Sequence, residues 1–139
     1  LVISGVGDNS WLKDISLTGN IKFIRWENEY QKNALFQGAT FVVYPSLYEG
    51  FGMPVVEAMG NRKAVLTSSN TSLKEIAEGY AHMVDPNNEE SIVEGIRKLY
   101  TDAAYRSALE KQSLIRAGDF TWEKMSSRTY GVYKDLLNS

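Results

Sequence analysis

The chain has no cysteine, one histidine and three prolines in its 139 residues. Without thiols there is neither a disulfide framework nor a thiolate nucleophile, and a reducing compartment is left open. His82, the only histidine, leaves no multi-histidine metal site and no Ser-His-Asp arrangement to be built, so it reads as a structural residue on or beside a strand. Asp85 nearby is explained by the turn at Pro86 rather than by a catalytic pair. An excess of one charge is also missing. Fifteen Lys and Arg stand against 17 Asp and Glu, giving a net charge of −2, so the basic footprint of a nucleic-acid binder is absent. No apolar run approaches the roughly 20 residues of a membrane span, and nothing at the front resembles a signal peptide.

What the chain does have is a hydrophobic content of 43%, enough for one domain with a core of its own. Leu1-Val2-Ile3-Ser4-Gly5 is already a buried-strand pattern with no methionine or polar lead-in, so a piece of a longer protein is expected, with its natural edge upstream. Short β-branched, apolar runs at residues 1–4, 21–24, 40–44, 64–67 and 82–84 predict five strands. Most lack the alternation of half-exposed strands, and the segments between them can hold helices. The fold class is therefore α/β, an open parallel Rossmann-like sheet of about five strands with helices on both faces.

Helical spacing appears over residues 11–17 and 28–37, and Ser72-Leu73-Lys74-Glu75 has the pattern of a capping box opening a short helix toward Gly79. Three helices close the chain. The first follows Asp85-Pro86-Asn87-Asn88 with Glu89 and Glu90 in its opening turn and Ile92, Ile96 and Leu99 as its buried stripe. The second, over residues 103–117, is expected to bury Tyr105, Ala108, Leu109, Gln112 and Ile115. The third is capped by Thr121 and lines up Trp122, Met125, Thr129, Tyr133 and Leu136 on one face.

Two glycine-rich turns are candidate phosphate sites. Gly5-Val6-Gly7 follows a strand as a dinucleotide fingerprint would, but Ser10 replaces its third glycine and the second strand ends in Arg25 rather than an acid. That fingerprint fails. The stretch Glu49-Gly50-Phe51-Gly52-Met53-Pro54-Val55-Val56-Glu57 is more informative. Tyr44-Pro45-Ser46 ends a strand, so the turn lies at the carboxyl edge where open α/β sheets bind ligands. Pro54 suits the first position of a helix starting there, where its missing N–H would have no partner. Gly50 and Gly52 allow close backbone approach, and Phe51 either shields the turn or fills an apolar gap. N–H groups at such a helix start can receive an anion, and flanking carboxylates can accept hydrogen bonds from hydroxyls. For Glu57, set in an apolar run, two readings stand: a ligand for adjacent hydroxyls such as those of a ribose, or a complement to the helix dipole worth about 0.3–1 kcal/mol. For Glu49, plain solvation is the competing reading.

At these residues the chain resembles the retaining glycosyltransferases of the GT-B fold, in particular their large family 4. Glu49 and Glu57 match its E-x7-E motif. Residues 39–46, Glu57-Ala58-Met59-Gly60, Val84-Asp85-Pro86 and Phe120-Thr121-Trp122 resemble the same family's C-terminal domain, so nearly the whole chain takes part. The resemblance implies that Glu57 binds the ribose hydroxyls of a nucleotide and that Glu49, as the catalytic-site carboxylate, faces the transferred sugar. It further implies that the backbone at Gly50, Phe51, Gly52 and Met53 receives the distal phosphate and sugar hydroxyls, with the base near Trp26. The implied reaction passes a sugar from a nucleotide-diphosphate donor to the hydroxyl of an acceptor glycan, lipid or other compound, with retention and with no obligatory metal or other cofactor.

Two departures qualify this. The Arg/Lys pair that clamps the diphosphate in the family would precede Leu1, as would the N-terminal acceptor domain. The chain is thus expected to be the donor-binding half of an enzyme, inactive alone and cytoplasmic, with the full protein at the inner face of a membrane as one possibility. Asn61-Arg62-Lys63-Ala64 also stands where a glycine and a proline are common, leaving room for a turn of different shape after Gly60. Tyr130 and Tyr133 either cover surface buried in a full protein or pack on this domain's own sheet. The alternative function is a non-catalytic module recognising a nucleotide sugar or a protein. A non-hydrolysing sugar-nucleotide epimerase on the same fold ranks last, because it would not be expected to carry the two-glutamate motif.

Overall fold

The computed structural model describes residues 1–5 and 20–138. The helix expected over residues 11–17 lies outside that range, as does most of the Gly5-Val6-Gly7 turn. The chain divides into two compact units, Leu1–Leu35 and Phe36–Ser139.

In the first unit β1 (Val2–Ser4) pairs in parallel with β2 (Lys22–Ile24), Ile3 standing opposite Phe23. The Ser4 hydroxyl adds a bond to the Ile24 carbonyl at 3.0 Å. Helix α1 (Glu29–Gly38) then starts behind Asn28, whose side-chain oxygen accepts from the Gln31 N–H at 3.0 Å, and it carries the chain into the second unit.

The second unit holds β3 (Val42–Tyr44), α2 (Met53–Gly60), β4 (Val65–Ser68), α3 (Thr71–Ala77) and β5 (His82–Val84), followed by α4 (Glu89–Thr101), α5 (Ala103–Ala117) and α6 (Trp122–Leu137). Its strands form a parallel sheet in the order β3-β4-β5. All five expected strands therefore exist, paired in parallel as a group of two and a group of three. The central strand explains why alternation was weak in the sequence, since every residue of β4 is buried. Val65 faces one core cluster, with Val55, Ala58 and Met59 of α2 and Leu73, Ile76 and Ala77 of α3. Leu66 faces the other, with Val84, Leu99 of α4 and Leu109 of α5. Successive strand residues point to opposite faces, and here both faces are covered by helices.

His82 belongs to the second face. Its Nδ1 lies 2.9 Å from the Tyr105 hydroxyl, and Gly95 of α4 packs so closely that an added Cβ would fall 2.8 Å from the His82 ring. Burial, followed by the nearby Lys98 charge, holds its pKa below the ordinary value. The expected structural role is what the geometry shows. Asp85 likewise serves the turn, accepting the Asn87 N–H at 2.9 Å.

Three local expectations need correction. Helix α3 begins at Thr71 behind Asn70, so Ser72 sits inside it and is not a capping residue. The buried face of α5 is Tyr105, Leu109 and Ser113, whereas Ile115 is 65% exposed. The Ser113 hydroxyl reaches the Tyr80 carbonyl, and Arg116 donates to the Ile76 and Glu75 carbonyls at 2.8 and 2.9 Å, so polar tertiary partners rotated the helix away from its most apolar face. On α4, Leu99 is buried but Ile96 reaches the surface. The turn after Gly60 closes through Arg62 at φ 57, a left-handed conformation that glycine would adopt at less cost. The Lys63 N–H returns to the Ala58 carbonyl at 3.1 Å across it.

Candidate functional site

Glu49, Gly50, Phe51, Gly52, Met53 and Glu57 occupy the link from β3 to α2, at the carboxyl edge of the three-stranded sheet. Gly52 is the residue before α2 and takes φ 103, which only glycine adopts without strain. A Cβ there would also lie 2.5 Å from the Leu73 side chain, so the turn is seated directly on α3. Gly50 faces open space instead: an added Cβ would meet no atom within 4 Å. Helix α2 starts at Met53, placing Pro54 second rather than first. The reasoning is unchanged, because the first N–H groups of a helix have no intrahelical acceptor. Val55 N–H returns to the Gly52 carbonyl at 3.0 Å.

The segment carrying Glu49 is tied to the end of β4 and the start of α3. Four side chains donate to four of its carbonyls: Thr67 to Tyr44 at 2.9 Å, Ser68 to Ser46 at 2.6 Å, Asn70 to Leu47 at 2.9 Å and Ser72 to Glu49 at 2.9 Å. The run Thr67-Ser68-Ser69-Asn70-Thr71-Ser72 thus acts as a row of donors. Thr71, between two of them, has φ 48, a conformation that strains a β-branched residue. The signal in the sequence was the density of hydroxyl and amide side chains directly after a buried strand, which reads locally as capping chemistry.

Glu49 is half-buried, and its Oε1 accepts the Tyr44 hydroxyl at 2.7 Å. Burial, then that hydrogen bond and the carboxylate charge, push the Tyr44 phenol up to about 12. The simple picture of a solvated loop acid is therefore replaced by a held one. Glu57 is the fifth residue of α2 and half-buried, and its Cα–Cβ bond tilts back toward the Gly52 end, as in any α-helix. Its carbonyl accepts both the backbone N–H and the side-chain amide of Asn61, at 3.0 and 2.9 Å.

Phe51 is 43% exposed and stands edge-on to Phe120, with ring centroids 5.8 Å apart. This pair forms part of a mostly apolar groove of about 410 Å³ with Met53, Val56, Trp122 and Met125. Trp26 is half-buried two residues beyond β2, in the first unit. Among the described residues no helix is long and apolar enough to cross a membrane.

The three-stranded unit is thus a parallel sheet with helices on both faces, and two glutamates flank a left-handed glycine at its carboxyl edge. The family described as "Glycosyl transferases group 1" matches residues 1–115, and the chain belongs to that family. It is 33% identical over 118 residues to O-antigen chain mannosyltransferase B of Escherichia coli, covering 85% of this chain and 31% of that protein. It is also 33% identical to the serotype-specific mannosyltransferase WbdA of Escherichia coli, over 76% of this chain and 13% of that one. Sucrose-phosphate synthase from Thermosynechococcus elongatus superposes with a TM-score of 0.83 at 22% identity, over 99% of this chain and 38% of the other. The architecture is that of a GT-B C-terminal domain. The chain spans about a third of the first of these relatives.

Proposed function

We propose that this chain is the donor-binding half of a retaining glycosyltransferase that takes a sugar from a nucleotide diphosphate and transfers it to an acceptor hydroxyl. The observation that carries the reading is the pair Glu49 and Glu57 on either side of the φ 103 turn at Gly52, with the Glu49 loop fixed to its neighbour by four side-chain bonds. A site that must hold charged and neutral parts of one ligand at set distances gains from such pre-ordering. In this reading Glu57 accepts from the ribose hydroxyls, and Glu49 faces the transferred sugar. The backbone from Gly50 to Met53 receives the distal phosphate.

Gly50 suits close approach because its surroundings are open, and the end of α2 offers the positive pole where charge develops on the leaving diphosphate. No metal is required. The acceptor, a glycan, lipid or other hydroxyl compound, binds mainly to a further domain, so the chain alone does not turn over. Two relatives are named mannosyltransferases, which makes mannose the first sugar to test.

The test is calorimetric titration of the full-length protein with UDP-, GDP- and ADP-sugars, with and without EDTA, repeated on Glu57→Gln. One donor should bind irrespective of EDTA, and the substitution should weaken it by at least about tenfold. Absence of any binding, or an unchanged affinity in Glu57→Gln, overturns the assignment.

A further inference from the structure

Tyr44 closes β3 opposite Thr67, and its carbonyl is taken by the Thr67 hydroxyl at 2.9 Å. Its ring packs against the cluster built by Val55, Met59, Leu73 and Ile76. Sheet and core together therefore set where the phenolic oxygen lies. That oxygen meets Glu49 Oε1, five residues on, at 2.7 Å, within the range of a charge-assisted O–H···O⁻ bond. The backbone of Glu49 is held separately, through its carbonyl, by Ser72 at 2.9 Å.

An ionised carboxylate has about four lone-pair sites, so one oxygen can be held while the other stays available. A free glutamate in a loop would lose rotamer freedom each time it bound a ligand. We infer that Tyr44 is a positioning residue for Glu49, fixing one carboxylate oxygen so that the other meets a hydroxyl of the bound sugar. The inference rests on the sugar-nucleotide reading of the site. Tyr44 does not touch the ligand and acts only through Glu49. The phenol is protonated, and so a donor, throughout the neutral range, as a tyrosine at its ordinary value already is.

Two measurements on the full-length protein test this. Carbon NMR of ring-labelled tyrosine should show Tyr44 titrating near 12 and moving part of the way toward 10 in Glu49→Ala, with the contribution of burial remaining. Second, Tyr44→Phe keeps the ring packing and should weaken the donor sugar found by calorimetry about tenfold, while in the Glu49→Ala background the same change should have no further effect. A Tyr44 titration indifferent to Glu49→Ala overturns the proposal without any ligand. So does an additive effect of Tyr44→Phe, or an unchanged affinity in that variant while Glu57→Gln still weakens binding; these leave the site reading standing. If no nucleotide sugar binds the wild type, the site reading falls and the positioning role falls with it.

Discussion

The loop after β3 and the helix α6 both present large apolar side chains to solvent, Leu47, Tyr48 and Phe51 in one and Trp122, Tyr130, Tyr133, Leu136 and Leu137 in the other. Their backbones are held very differently. The end of β3 and the loop after it have four carbonyls tied to side chains from the end of β4 and the start of α3, and a glycine wedged against Leu73. No described residue of α6 is buried, and its first turn is tethered by the Thr121 cap and by Lys124, which reaches the Gly118 carbonyl at 2.8 Å. Exposure therefore has two meanings in one unit. In the loop, a rigid frame displays side chains; in α6, an apolar face runs along a helix whose shape comes from its own hydrogen bonds. Of the two readings of Tyr130 and Tyr133, packing on this domain's own sheet is not what the structure shows, since they are 69% and 62% exposed.

Substitutions in the two regions should separate these meanings. The largest effect is expected from Gly52→Val, which forces a β-branched residue to φ 103 and drives it into Leu73. Urea unfolding should show a loss of about 2–4 kcal/mol, and a loss below 0.5 kcal/mol would mean the loop is not seated as described. Ser72→Ala removes one tie and should cost about 1 kcal/mol by the same measurement. The contrast would fail if the cost were nil.

Thr71→Asn should act in the opposite direction. Asparagine accepts the left-handed conformation that strains threonine at φ 48, so stability should rise by about 0.5–1 kcal/mol in thermal unfolding. A decrease would show that the threonine side chain contributes more than its backbone costs. The smallest effect is expected from Tyr133→Ser with Leu136→Ser on α6, within about 0.5 kcal/mol of the parent. A loss above 2 kcal/mol would place that face in a core and erase the comparison.

Local patterns made much of this legible. The short β-branched runs marked all five strands within a residue or two, since buried central strands such as β4 must be apolar along their whole length. The cap at Thr121 follows from a side chain that can reach the N–H three residues on. What misled was Ser72, whose hydroxyl suits a local cap but is used by Glu49 from another segment. The face of α5 was misjudged for the same reason, because Arg116 and Ser113 found carbonyls that the sequence could not place.

The sequence by itself determined the strands, most of the helices and the two glutamates around the glycine turn, because these depend on residues close along the chain. Only the tertiary structure decided that Glu49 is held by Tyr44, that the polar run from Thr67 to Ser72 ties down the loop after β3, and that the apolar side chains of α6 stay exposed. Those outcomes turn on which donor meets which acceptor once β3 and β4 lie side by side. A hydroxyl has many equally good partners until the fold brings one within 3 Å.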